Sequence, residues 1–380
     1  MRVELSEEQE LLQQEVRRFA EEVVRPRAAE IDESGLFPRD IYDQAGALGL
    51  GGVAIEEQYG GAGMDSIAYC VVIEEIARVC GTSAVILSVN NSLVCSPIAS
   101  FGTEEQKREF LTPLASGEKL GCFALTEPGA GSDAAALRTL ARREGDDYVL
   151  NGNKVFVTNG THADVALVFA TLDPELKHKG ITAFLVPVDT PGFSRGTHEY
   201  KLGVNGSGTT ELAFDELRLP ASHRLGEEGG GFKIAMATLD GGRIGIAAQA
   251  VGIAQGAFEE ALRYSTEREQ FGKPLADFQA IKFYLADMST EIDAARLLAW
   301  KAAWLRDRGK RYTLEAAQAK LYASEMSQRV TSKAIQVHGG YGYTRDYPVE
   351  RFFRDARITE IYEGTSEIQK MVIADWVLNH

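Results

Sequence analysis

The hydrophobic period changes twice along this 380-residue chain, and that double switch limits what it can fold into. Residues 1–118 carry helical spacing. Leu12, Val16, Phe19 and Val23 recur at helical intervals behind Ser6 and Gln9, which form a capping box. Thr103 and Gln106 form another. From 119 to 226 the apolar runs shorten to stretches such as VALVFA and ITAFLVPV, too short for helices and rich in β-formers. Asn-Gly pairs at 151–152, 159–160 and 205–206 read as hairpin signals. From 227 to 380 the helical period returns. Phe278, Ile281, Leu285, Met288, Ile292, Ala295 and Ala299 alternate spacings of three and four, the seam of a long bundle helix. The pattern predicts three domains, 1–118, 119–226 and 227–380, in a mainly α fold around a central antiparallel β-barrel or sandwich.

Composition narrows the function. A net charge of −15 repels phosphate backbones, so nucleic acid is not the expected partner. No run of eighteen uninterrupted apolar residues exists, so no membrane span is expected. The N-terminus, MRVELSEEQELLQQE, is unlike a secretory signal or an Arg-rich transit peptide, which predicts a cytoplasmic protein. Four cysteines without C-x-x-C spacing suit a reducing compartment. No metal-ligand cluster and no G-x-S-x-G elbow is present, so neither a zinc enzyme nor a serine hydrolase of that type is expected.

Five stretches carry chemistry-bearing residues. In CFALTEPGAGSD, Gly129, Gly131, Thr126 and Ser132 suit an anion or a polar ring edge, and a plain turn explains them equally well. In LDGGRIG, two glycines interrupt a helix beside Asp240 and Arg243; either two helices cross there or a ligand lies on bare backbone. Arg268, Phe271 and Gln279 flank a Gly-Lys-Pro turn. QVHGGYGY is a glycine-rich aromatic loop between helices. In IYEGTSEIQ, residues 361–369, Ser366 with Gln369 reads as a capping box and Gly364 as the stop of the preceding helix. That places Glu363 at a helix C-terminus, where the macrodipole disfavours a carboxylate.

Taken together and in this order, ALTEPGAGSD, LDGGRIGIAAQAVGIAQGA, the QFGKPL–FQ turn, QVHGGYGY and RDARITEIYEGTSEIQ resemble the acyl-CoA dehydrogenases, over essentially the whole chain. KGITAFLVP and ARITEIYEGTSEIQ are most similar to short-chain, butyryl-type members. The resemblance implies a helical domain, a β-domain and a C-terminal four-helix bundle. It implies FAD, with Phe123, Leu125, Thr126, Gly131 and Ser132 lining the flavin and Phe156, Val157 and Thr158 covering its other side. Arg268, Phe271, Gln279, Gln336, Val337, Gly339 and Gly340 would hold the adenosine half of an FAD bound mainly by a neighbouring subunit. Thr365, Ser366 and Glu367 would contact the flavin from a helix start. Ser132, Asp240, Arg243, Tyr362 and Gly364 match positions touching the acyl-CoA substrate, and Glu363 matches the catalytic base. A homotetramer that passes electrons to an electron-transferring flavoprotein is implied as well.

Two alternatives carry different predictions. A short branched-chain or medium-chain dehydrogenase would share every motif. A CoA- or FAD-binding protein without turnover should have lost Glu363 first. Some members place the base immediately before the arginine of LDGGR; here that position is Gly242. No arginine stands between residues 82 and 90, which disfavours a dicarboxylic substrate. Phe156 replaces a usual tryptophan, and Asn205 stands where a basic residue is common.

Overall fold

A computed structural model describes residues 4–379. Helices fill the first third: α1 (Glu7–Phe19), α2 (Ala28–Ser34), α3 (Arg39–Ala47), α4 (Ser66–Ala77), α5 (Gly81–Ser88), α6 (Ser96–Phe101), α7 (Glu104–Gln106) and α8 (Thr112–Ala115). Both expected capping boxes form, at Ser6 with Gln9 and at Thr103 with Gln106. α5 continues through a π-helical segment, Val89–Cys95, into α6. This stretch, Gly81–Phe101, is long and apolar enough to cross a membrane, yet 78% of its most apolar window is buried inside the molecule. The core already covers the surface that a bilayer would otherwise cover.

The strands are β1 (Gly121–Ala124), β2 (Leu140–Glu144), β3 (Asp147–Val157), β4 (Val165–Thr171), β5 (Ile181–Pro187), β6 (Phe193–His198), β7 (Thr210–Pro220) and β8 (Arg224–Leu225). They form one sheet in the order β6-β7-β3-β2-β4-β5-β8, with β1 on β4. The sheet is mixed, which corrects the wholly antiparallel expectation: β1 runs parallel to β4, and β2 meets β4 in parallel. After β1 the chain leaves through a long loop, 125–139, instead of a tight turn, so strand direction is not forced to reverse.

Two of the three Asn-Gly pairs behave differently from their hairpin reading. Asn151 and Gly152 lie inside β3, where the register shifts at a bulge; a Cβ on Gly152 would sit 2.7 Å from Thr139 Oγ1. The β2–β3 turn is instead made at Gly145, whose φ is 64°. Asn159 follows β3 in a turn between strands that do not pair, and its buried amide donates to Ile86 O (3.2 Å) and Gly121 O (3.1 Å). That side chain bolts the sheet to the helical layer. Asn205 lies in the loop joining the paired strands β6 and β7, where it donates to Asp32 Oδ1 at 2.8 Å.

The C-terminal region holds α9 (Gly231–Glu267), the small β9 (Glu269–Gln270) and β10 (Lys273–Pro274) hairpin, α10 (Gln279–Asp307), α11 (Thr313–His338), α12 (Val349–Ile358) and α13 (Ser366–Asn379). Three long helices, α9, α10 and α11, pack on one another, and the shorter α12 and α13 pack on α11. Met288, Ile292, Ala295 and Ala299 of the predicted seam are buried. The glycines of α9 allow close approach: a Cβ on Gly245 would lie 2.6 Å from Ser88 Oγ, and one on Gly252 would lie 2.7 Å from Ala77 Cβ. α9 therefore runs hard against α4 and α5, and the helical layers share one core.

Candidate active site

A cleft opens where the sheet meets the helices. It has a wider lobe of about 590 Å³ and a narrower one of about 200 Å³, and Thr126, Gly131, Ser132, Phe156, Thr158, Tyr362, Glu363 and Gly364 line both. One wall is the loop after β1. Its backbone is pinned by a buried ion pair: Lys154 Nζ donates to Glu127 Oε1 at 2.7 Å and to Leu125 O at 3.1 Å. The Glu127 carboxylate in turn accepts the N–H groups of Arg138 (2.6 Å) and Thr139 (2.9 Å). Inside this clamp, Gly129 and Gly131 leave their surroundings open, with nothing within 4 Å of an added Cβ. The glycines thus give a ligand room at the backbone, which favours the ligand reading over the plain turn.

Phe156 forms an aromatic wall. It is 67% exposed, with φ 56° in the left-handed region. Its neighbour Val157 faces the other way, into the sheet core, so its side chain does not line the cleft as expected; alternation along a strand sends successive side chains to opposite faces. Phe123 and Leu125 line the narrower lobe, Phe123 packing on Phe169 at 5.1 Å.

Glu363 lies at the floor, and its setting departs from the helix-terminus expectation. α12 ends at Ile358, five residues earlier, and Glu363 sits in a linking turn with φ 51°, followed by Gly364 at φ 91°. Gly364 is therefore not the stop of that helix. Nor is Ser366 the cap of the next one: it is the first residue of α13, and Thr365 Oγ1 caps by accepting from Ile368 N at 3.4 Å. Gln369 instead reaches back with Nε2 to Gly364 O (2.9 Å) and Glu363 O (3.2 Å).

Desolvation, not a helix dipole, raises the Glu363 carboxyl, up to about 8, against the opposing charges of Lys320 and Arg243. Its Oε2 has no hydrogen-bond partner, nor have the neighbouring buried Arg243 Nε and Ser366 Oγ. Space for the carboxylate comes from Gly242. An added Cβ there would collide with Glu363 Oε2 and stand 2.8 Å from Glu363 Cδ and 2.7 Å from Leu93 Cδ2. Tyr362 OH donates to Gln249 Oε1, and Gln249 Nε2 donates to Gly81 O at 2.9 Å, which ties the turn to α9 and α5.

The remaining predicted residues divide. Arg243 borders the narrower lobe and bonds Asp240 Oδ1 at 2.6 Å, while Asp240 Oδ2 accepts from Thr313 at 2.7 Å. Thr365 lines the wider lobe; Glu367 points to solvent. Arg268, Gln336, Val337, Gly339 and Gly340 come together elsewhere, in a separate cavity of about 580 Å³ between the end of α9 and the end of α11. Phe271, 93% exposed, and the exposed Gln279 stand outside that lining.

Sequence reasoning missed Lys320, fully buried, whose Nζ donates to Gly364 O at 2.7 Å. The signal was present: Ala316, Lys320, Ala323 and Ser327 follow helical spacing, which puts a lysine in a buried stripe. It also missed Lys201, Arg354 and Arg357 on the wider lobe. Lys201 lies on a loop without periodicity, and Arg354 and Arg357 lie on α12 off its buried stripe of Val349, Phe352 and Ala356, where a solvated charge is the ordinary expectation.

A carboxyl oxygen without a hydrogen-bond partner thus stands in a cleft that combines an exposed aromatic wall with hydroxyl groups and open backbone. The chain matches three family models in sequence: acyl-CoA dehydrogenase N-terminal domain (residues 6–118), middle domain (122–217) and C-terminal domain (229–378). It belongs to the acyl-CoA dehydrogenase family. It is 54% identical to the short-chain specific acyl-CoA dehydrogenase of Clostridium acetobutylicum, over 97% of this chain and 98% of that one. Its fold overlays butyryl-CoA dehydrogenase from Megasphaera elsdenii with a TM-score of 0.98 and 48% identity, covering 100% of both chains. A chain of a structure described as the electron transferring flavoprotein of Acidaminococcus fermentans overlays it with a TM-score of 0.99 and 46% identity, again covering 100% of both.

Proposed function

We propose that this protein is an FAD-dependent short-chain acyl-CoA dehydrogenase. It converts a saturated short-chain acyl-CoA into the trans-2-enoyl-CoA and delivers the electrons to an electron-transferring flavoprotein. The observation that carries the reading is Glu363, a buried carboxyl with an unpartnered Oε2 held at the floor of the cleft.

The cleft fits FAD. Phe156 offers a flat face, Thr126, Ser132 and Thr158 offer donors, and α13 points its first turn at the lobe through Thr365. When bound, the flavin supplies the acceptor for the β-hydride. The residues of the chain do the rest. Glu363 Oε2 takes the α-proton, and its backbone N–H donates to the thioester carbonyl as negative charge develops there. Arg243, on the narrower lobe and steadied by Asp240, would meet the acyl-CoA there, with Ser132, Tyr362 and Gly364 against the thioester. Val89, Leu93 and Phe123 close the narrower lobe and keep water from the carboxylate. Its small volume, about 200 Å³, favours a short acyl chain over a long one.

The separate cavity at Arg268 and Gln336–Gly340 suits the adenosine half of an FAD anchored in a neighbouring copy, which supports an oligomer, and the family resemblance makes that a homotetramer. Phe271 and Gln279, exposed on that side, would meet the nucleotide there. The division into domains 1–118, 119–226 and 227–380, closure of the central sheet into a barrel, and a cytoplasmic location complete the reading.

An anaerobic visible spectrum before and after butyryl-CoA tests it. A yellow protein that bleaches, and fails to bleach as Glu363→Gln, is the expected result. A yellow protein indifferent to butyryl-CoA would move the reading to longer or branched thioesters. A protein that stays colourless after incubation with FAD would overturn it.

A further inference from the structure

Lys320 stands where a helix would ordinarily bury an alanine. Its neighbours along the stripe, Ala316, Ala323 and Ser327, are all buried, and Lys320 itself is 0% exposed. Taking an ammonium out of water is costly unless it is used. Its hydrogen bond goes to a neutral group, the Gly364 carbonyl, at 2.7 Å, so no carboxylate at contact cancels its charge. Gly364 follows Glu363, and both hold positive φ, 51° and 91°. The same carbonyl also accepts from Gln369 Nε2 at 2.9 Å. The turn that presents the carboxylate is thus held twice, once by an amide and once by a charge.

We propose that Lys320 is a positioning residue for Glu363: it fixes the Glu363–Gly364 turn through the Gly364 carbonyl and supplies the positive charge that keeps the carboxyl ionisable in its dry pocket. This rests on the reading of Glu363 as the base. The other groups that face the carboxylate are Arg243 from α9, Tyr69 from α4 and the adjacent Tyr362; Arg243 and, from the Glu363 segment, Glu360 and Glu367 act on Lys320. Arg243 is already committed to Asp240 at 2.6 Å. Burial pulls the Lys320 amine down to about 8 while the Glu363 charge opposes the fall, and Lys320 reciprocally restrains the rise of Glu363. Because Gln369 still satisfies the Gly364 carbonyl, Lys320→Met removes the charge without orphaning the turn.

The test titrates Glu363 itself, by infrared difference spectroscopy of its carboxyl band, assigned by its loss in Glu363→Gln. In Lys320→Met the midpoint should move alkaline by about one pH unit, a tenfold change in proton affinity. The acid limb of kcat/KM should move with it, and Lys320→Arg should restore both. If Lys320→Met does not fold, the reciprocal experiment decides: in Glu363→Gln the Lys320 amine, followed by NMR of 13Cε-labelled lysine, should titrate at lower pH. An unmoved midpoint in folded Lys320→Met, or an unmoved lysine in Glu363→Gln, overturns the proposal. Failure of the underlying reading looks different: the wild-type rate limb would not coincide with the infrared midpoint, before any lysine variant is made.

Discussion

Lys154 and Glu127 form a buried ion pair, 2.7 Å apart, with Lys154 0% and Glu127 8% exposed, directly behind the glycine loop of the cleft. Breaking one partner leaves the other charge buried and alone. Lys154→Met should cost about 3–5 kcal/mol of stability. It should also weaken FAD retention, because the loop from Leu125 to Thr139 hangs on that pair. Urea unfolding and flavin titration of the same variant measure both. A variant as stable as the wild type would mean that the loop is held by other contacts.

The rate should depend on pH through Glu363. Only the ionised carboxylate can accept the α-proton, and burial holds its midpoint at about 8. Below that pH, kcat/KM should fall about tenfold per unit. A profile with its acid limb near the ordinary 4.5 of a glutamate would place the base elsewhere or contradict the desolvation argument.

Stability should move the opposite way. A carboxyl whose folded-state value is raised from 4.5 to about 8 binds its proton more tightly in the folded chain, so stability falls as pH rises between those values. Glu363→Gln deletes this term. The variant should melt together with the wild type near pH 4.5 and melt higher above pH 8, as scanning calorimetry at the two extremes would record. Equal melting at alkaline pH would show that the carboxylate is not destabilised by burial.

Gly242→Ala tests the fit of the carboxylate. The added methyl would occupy the space of Glu363 Oε2, so the side chain must swing away. Misplacing a catalytic group by about 1 Å costs on the order of 100-fold in rate. Rapid-reaction bleaching should slow by that order while FAD content stays unchanged, because Gly242 lines neither lobe of the cleft. Undiminished bleaching would mean that the turn has slack.

The layered order of helix, strand and helix was legible because it is written in the hydrophobic period, and the capping boxes at Ser6 and Thr103 were legible because they are local. The third box does not form, and Thr365 alone caps α13 through Ile368 N. Ser366 and Gln369 have the right spacing, but the buried carbonyls of Glu363 and Gly364 compete for the Gln369 amide and win it. Asn151-Gly152 misled for a related reason: the pair that permits a turn also permits a bulge, and strand pairing with β7 decided which. Strand direction at β1 and the Asn159 bridge depend on contacts between segments distant in sequence, which no local pattern encodes. At the site, Glu363, Arg243 and the glycine loop were named from motifs, whereas Lys320 was hidden in plain helical spacing.

The space shared by Gly242 and Glu363 also bears on how such a site can change over generations. Related enzymes whose base precedes the arginine of this helix would need a carboxylate to grow from position 242, into the volume that Glu363 now fills. Two acids can share that space only if one of them swings away from it, because the close contact is with the far end of the Glu363 side chain. A base on either strut of the pocket therefore calls for a small residue on the other.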